Sequence, residues 1–479
     1  MTHPLKTLGR LCGVLLLGAA AALSGPAAQA AHDIRGIQGP SFQLYAYPFY
    51  MTLPEGTSLY MWGFGDLTGG ATATHPEGAG YYLPQYPAPT LIVTEGDNVI
   101  IQLTNYGVPD PVSIVVTGHQ VTATGGSPGL VTQASANATN PVTYSFTAGA
   151  PGTYIYHSLD GQNPGLHQEM GLAGALVVRP ADGSRSVYGA GTGSDYDQEY
   201  LYVFTEIDPD IHVEVGGGHL GHFTYHERFA KAWFVNGRPF PDLFQGDYNP
   251  LFPNQPYEAL AKSHPGDRVL VRAVNVGQDP HPFHFHGENL AFLGRDGRML
   301  CSDRDPTDPT RCADGALANL GISGNSVNSA PKQTWDLLWT WTGKALNWDV
   351  YGPISTTCTD SDNNMADDLT GAMCNDVNCN DADSDGFDDV NHQYCPDHGK
   401  PLPVSLPGVG DLTLGGWWSG SPFLGDVGDL PPGEGGLNPF GGYFLVWHSH
   451  AEKELTTFNI FPGGSLSSVV VLPPYVDIQ

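Results

Sequence analysis

Residues 95–105, Glu-Gly-Asp-Asn-Val-Ile-Ile-Gln-Leu-Thr-Asn, return as residues 265–275, Pro-Gly-Asp-Arg-Val-Leu-Val-Arg-Ala-Val-Asn, with Gly, Asp, Val and Asn in matching places. Each copy opens on a Gly-Asp turn and runs into β-branched and apolar residues, the pattern of a turn feeding a strand. A second pair of segments keeps the same order. Tyr154-Ile-Tyr-His157-Ser158 matches Leu445-Val-Trp-His448-Ser449, and each is followed by a Gly-rich turn and a Val-rich strand, Ala175 to Val178 and Ser468 to Leu472. The chain therefore reads as all-β, two copies of one domain, with about 120 extra residues in the second copy between Asn275 and His448.

Composition agrees. The 62 glycines and 40 prolines in 479 residues are too many for a mainly helical chain, while 41% hydrophobic residues are too many for a disordered one. The formal net charge of -30 repels phosphate backbones and anionic lipid, so nucleic-acid binding is excluded. Residues 1–30 carry Lys6 and Arg10, an apolar run from Leu11 to Leu23, and Ala28-Gln29-Ala30, the pattern of a cleavable secretory signal. No later segment approaches the length of a membrane span. The expected product is exported, secreted or periplasmic. Without Cys12 six cysteines remain, Cys301, Cys312, Cys358, Cys374, Cys379 and Cys395, and an even number in an oxidising compartment implies disulfides confined to one region. The expected division is a first domain at 31–180, a linker at 181–196 and a second domain at 197–479, interrupted by an insertion at about 301–440.

Within the insertion, Ile354 to Lys400 holds 11 Asp, no Glu and one Lys. Asp360-Ser-Asp362-Asn-Asn364 recurs as Asp381-Ala-Asp383-Ser-Asp385, followed by Gly386 and Asp389. Carboxylate and amide oxygens at positions 1, 3 and 5 of a tight loop converge on one point, which suits calcium. Position 12 is Gly371 in one copy and His392 in the other, so an EF-hand is not supported. The stretch 357–396 resembles the calcium loops of thrombospondin type 3 repeats, and Asp360, Asp362, Asn364, Asp381, Asp383, Asp385 and Asp389 are the expected ligands.

The densest chemistry is in the histidines. His281-Pro-Phe-His284-Phe-His286-Gly287 and His448-Ser449-His450 fall on predicted strands, where residues two apart share a face. His284 with His286, and His448 with His450, form two pairs of imidazoles, and neutral imidazole is a preferred ligand for copper and zinc. A further group, His219, His222 and His226, follows a Gly-rich turn and reads better as a polar connector.

On His281, His284, His286 and Gly287 the chain resembles the multicopper oxidases, built from cupredoxin β-sandwiches of Greek-key topology. Pro89 to Asp97, Tyr154 to Ser158 and Gly171 to Val177 are similar to the family's first domain. Two-domain relatives and copper nitrite reductases form copper sites between domains, commonly across a trimer interface, so a homotrimer is among the arrangements the resemblance implies. It also implies copper at His157, His281, His284, His286, His448 and His450.

The pattern is nevertheless incomplete. The family's type 1 cysteine corresponds to Ser449, whose hydroxyl is hard and un-ionised where a soft thiolate is needed. The second type 1 histidine falls at Glu454 and the axial position near Asn459, so only His281 of that site survives. In the first domain the corresponding cysteine is Ser158 and the methionine aligns near Leu172. Val115, Thr117 and Leu159 replace three of the eight cluster histidines, with His119 and His167 as nearby substitutes. The expectation is a copper-binding protein with a reduced interdomain cluster, fewer than four coppers, no type 1 copper, and oxidoreductase chemistry if it turns over an unspecified substrate. The competing class is a non-catalytic, calcium-binding scaffold of a matrix or surface.

Overall fold

The computed structural model describes residues 31–68, 83–159, 164–221, 227–301, 322–344, 380–389, 392–398 and 443–472, with isolated residues between 303 and 318 and residue 478. The expected export segment at 1–30, the loop bearing Asp360, Asp362 and Asn364, the cysteines Cys358, Cys374 and Cys379, and His222 and His226 lie outside these residues.

The repeat seen in the sequence is a repeat of topology. Asn98–Asn105 pairs in parallel with Ser41–Thr52, and Arg268–Asn275 pairs in parallel with Gln198–Ile207. Gly152–His157 pairs antiparallel with Ala173–Arg179, which runs parallel to Ala88–Thr94. In the second copy Tyr443–Ser449 pairs antiparallel with Leu466–Val471, which runs parallel to Leu260–Ser263. Each copy is thus two mixed sheets face to face, five strands on five in the first and seven on five in the second. The fold is all-β, two cupredoxin-like sandwiches.

Alternation along the strands explains the layers. In Asn98–Asn105 Val99, Ile101 and Leu103 are buried and join Trp62, Phe64 and Tyr156 in the first core. Tyr443, Leu445 and Trp447 point inward from Tyr443–Ser449 and meet Phe283, Phe285 and Trp339 in the second. Each fully buried aromatic of this size contributes roughly 1.5–3 kcal/mol of transfer free energy.

Charged side chains lock the two sandwiches together. Glu199 of the second accepts from Arg179 of the first at 2.5 Å and from Arg272 at 2.6 Å. Arg272 also reaches Asp336 at 3.0 Å, to which the Thr153 hydroxyl of the first sandwich donates at 2.5 Å. Burial alone would raise the Glu199 carboxyl, but Arg272 and Arg179 hold it down to about 2. Of the expected disulfide region, Cys301 and Cys312 are bonded to each other, and Cys395 is also disulfide-bonded. No helix among the described residues is long and apolar enough to cross a membrane.

Candidate metal centre

The strands His281–Phe285 and Tyr443–Ser449 lie side by side, with His284 opposite His448 and Phe283 opposite Ser449. Because alternate residues face opposite ways, this register sorts the histidines. His281, Phe283, Phe285, Trp447 and Ser449 are buried on the core side, while His284, His286, His448 and His450 sit on the other side, half-buried or exposed.

There the four imidazoles converge. Ligand nitrogens of His284, His448 and His450 lie within 4.8 Å of one another. His286 joins them through its Nε2, 3.0 Å from Nε2 of His448. Two nitrogens bound to one ion at about 2.0 Å stand ~2.8–3.4 Å apart, so this spacing fits a shared metal. The His448 ring is aimed by its Nδ1–H, which donates to the Ser449 carbonyl at 2.8 Å and leaves Nε2 as the lone pair. Nδ1 of His284 meets the Ser326 hydroxyl at 2.9 Å. Burial, reinforced by the neighbouring imidazoles, lowers His284 to about 4 and His286 to about 3. These two rings are therefore neutral at physiological pH, the state a metal requires.

His157 is not part of this convergence. It closes the strand Gly152–His157 of the first sandwich, buried, with its Nδ1–H donating to the Ser158 carbonyl at 3.0 Å, the same device that aims His448. Burial lowers it to about 4. Thr117 and Gly118, where the family's first histidine pair would end, border a cleft of about 940 Å³ shared with Arg295, Arg298, Arg304 and Lys332. That is four of the 19 cations of a strongly acidic chain. The substitute His119 is already committed, with Nδ1 donating to the Thr117 carbonyl at 3.0 Å and Nε2 accepting from the Gly149 amide at 3.1 Å.

His281, expected among the copper ligands, is placed differently. Both of its nitrogens are taken by carboxylates, Nε2 by Glu206 at 2.8 Å and Nδ1 by Glu454 at 3.0 Å. Burial would lower this imidazole, but Glu206 and Glu454 raise it to about 10, so it is a cation with no lone pair to give. Ser449 is buried beside it in the sheet and accepts from the Ala451 amide at 3.1 Å. The first sandwich has its own version. The Ser158 hydroxyl meets Nδ1 of His167 at 2.7 Å, and Nε2 of His167 meets Asp110 at 3.2 Å. At both positions corresponding to a type 1 site, a histidine is held by serine or carboxylate oxygens.

Glu206 belongs to no motif of the sequence. It also accepts from Arg228 at 2.6 Å, and Arg228 reaches Glu169 of the first sandwich at 2.7 Å. The available signal was its place as a carboxylate in the buried strand Gln198–Ile207. His219 pairs with Glu214 on the surface at 2.9 Å. In the acidic insertion, Asp381, Asp383 and Asp385 bring ligand oxygens within 4.8 Å of one another, and the amide of Gly386, at φ 93°, donates to Asp381 at 3.1 Å. Asp389 instead accepts from the Ala382 amide at 3.1 Å.

A multicopper oxidase family model matches residues 77–183 and a second one residues 222–328. Among curated proteins, the iron transport multicopper oxidase fetC of Epichloe festucae is 28% identical over 45% of this chain and 30% of its own length. L-ascorbate oxidase of Brassica rapa subsp. pekinensis is 31% identical over 32% of this chain and 26% of its own length. The copper-containing nitrite reductase of Alcaligenes xylosoxydans xylosoxydans is 29% identical over 44% and 61%. The match thus spans under a third of the first two relatives. Among solved structures, multicopper oxidase mgLAC aligns over 92% of this chain and 87% of its own at 15% identity, TM-score 0.48. The blue copper oxidase from Nitrosomonas europaea aligns over 90% and 85% at 15% identity, TM-score 0.47.

Proposed function

Since this chain belongs to the multicopper oxidase family, we propose that it is an exported copper-binding protein with a reduced histidine cluster and no type 1 copper. The observation that carries this reading is the convergence of His284, His286, His448 and His450 on one side of two paired strands. The family implies copper, and a set of imidazole nitrogens at this spacing suits it. His157, aimed like His448 but buried in the other sandwich, is the fifth candidate ligand, and a homotrimer is the assembly proposed by likeness to two-domain relatives. Copper would supply one-electron transfer at this site. The chain's own residues hold and orient the imidazoles through Ser326 and the Ser449 carbonyl.

Ser449 offers no thiolate and His281 no lone pair, so the oxidoreductase chemistry open to this chain does not pass through a type 1 centre. The convergence of Asp381, Asp383 and Asp385 supports a second ion, calcium, in the insertion. A calcium-bearing scaffold without turnover is the alternative reading.

Copper loading with metal analysis and electron paramagnetic resonance tests the proposal. About one or two coppers per chain are expected, without an intense blue band, and His448→Ala with His450→Ala abolishes binding. A blue protein holding four coppers overturns the reduced cluster. No copper uptake at all leaves the scaffold.

A further inference from the structure

Away from the cluster, His32, Asp247 and Glu258 meet where the N-terminal segment crosses the second sandwich. Each offers a ligand atom, and these atoms lie within 4.8 Å of one another. They border a cavity of about 20 Å³ walled also by Ile34, Tyr200 and Tyr257. A space of that size admits one water or one ion.

The imidazole is fixed independently of any occupant. Its Nδ1 donates to the Glu199 carbonyl at 2.8 Å, the His32 amide donates to Gln198 at 2.8 Å, and the ring stacks on Tyr200 with centroids 4.3 Å apart and planes at 13°. A carbonyl only accepts, so Nδ1 carries the proton and Nε2 presents a lone pair. That nitrogen is buried and has no hydrogen-bond partner. The Oε1 of Glu258 is 4.0 Å from it, beyond hydrogen-bond length, and both side chains are only 9% exposed.

The carboxylates are also held in place. The Glu258 amide donates to Oδ1 of Asp247 at 2.8 Å, and the Glu258 carbonyl accepts from Asn236 at 2.7 Å. Arg35 takes Oδ2 of Asp247 at 3.0 Å, and Lys262 stands 4.0 Å from Glu258 Oε1. Burial, with the charge of Asp247 adding to it, pushes Glu258 up to about 7.

We propose that His32 Nε2, Glu258 and Asp247 bind a divalent ion of the zinc class. An imidazole whose other N–H is held by a carbonyl is the usual arrangement of a metal-bound histidine. Bonds of about 2.0–2.2 Å place tetrahedral ligand atoms ~3.4 Å apart, so the gap between His32 and Glu258 closes by roughly half an ångström around an ion. Arg35 already engages Asp247, so His32 and Glu258 are the principal ligands. The nitrogen donor selects zinc over calcium or magnesium, which take oxygen. Bound there, the ion staples the N-terminal segment to the second sandwich. The site is independent of the copper reading.

Zinc titration by calorimetry on the full chain carrying His284→Ala and His448→Ala tests this without the main cluster. One equivalent of zinc is expected, with a rise in thermal midpoint, and both are lost when His32→Gln or Glu258→Gln is added. The conservative Glu258→Gln decides if His32→Gln fails to fold. Zinc uptake unchanged by either substitution, or absent from the starting chain, overturns the proposal and leaves Glu258 as a protonated partner of His32.

Discussion

Nδ1 of His281 stands 3.0 Å from the carboxylate of Glu454, the residue at the place of a second type 1 imidazole. With Glu206 on the opposite nitrogen, the ring is a buried cation between two anions. A charge cluster thus occupies what the family pattern makes a metal site. His281→Gln leaves Glu206 and Glu454 short of a cation and is expected to cost about 3–5 kcal/mol in urea unfolding at neutral pH. Glu454→Gln removes one of two anions from a cation that keeps the other, and costs less.

The joint between the sandwiches depends on Arg272. Arg272→Met strands Glu199 and Asp336, each less than 2% exposed, with only part of their compensation. Breaking a buried network from one side costs roughly 3–5 kcal/mol. Urea unfolding measures it, and amide exchange in Gly152–His157, whose Thr153 is tied to Asp336, is expected to quicken.

What could be read from the sequence followed from alternation. The period of two in residues 281–286 and 443–450 placed His284, His286, His448 and His450 together, and the repeat of Gly-Asp turns gave two sandwiches. What could not be read were partners brought together by the fold from far along the chain. Nothing local in Glu206 says that it meets His281, and Asp110 with His167 is no more legible. His281 therefore passed for a ligand, because the motif carries its position but not the carboxylates that occupy its nitrogens. His32 and Glu258 are separated in the same way.

Acid should loosen a second joint. Burial alone would raise Glu169, but His212, whose Nε2 lies 3.7 Å away, the Arg228 guanidinium and the Asp208 amide hold it below its usual value of 4.5. A depressed carboxylate contributes stability that is present above the ordinary value and is lost as pH falls through the folded one. The advantage of wild type over Glu169→Gln in urea midpoint is therefore expected to be full at pH 6 and to shrink below about pH 4.5.

The acidic insertion offers a metal-removal test. If Asp381, Asp383 and Asp385 share calcium, chelation leaves like charges packed within 4.8 Å and should open residues 380–398 to protease. The two sandwiches, held by their own cores, should survive as large fragments on gels. Asp383→Asn is expected to give the same cleavage pattern without chelator.

Restoring a type 1 centre tests how far the site has drifted. Ser449→Cys alone puts a sulfur on the buried side of the strand Tyr443–Ser449, in the register of Phe283 and near His281. His281 remains tied through Nδ1 to Glu454, so that single change should give no intense charge-transfer absorption. Ser449→Cys with Glu454→His removes the anion, frees Nδ1 and supplies a second imidazole, a set that suits copper. Glu206 still holds Nε2 and orients the ring from behind, as an outer partner of a metal-bound histidine does. Visible absorption on copper addition is expected only for the double variant. Oxygen consumption should stay low even then, because Val115, Thr117 and Leu159 supply no imidazole to the cluster.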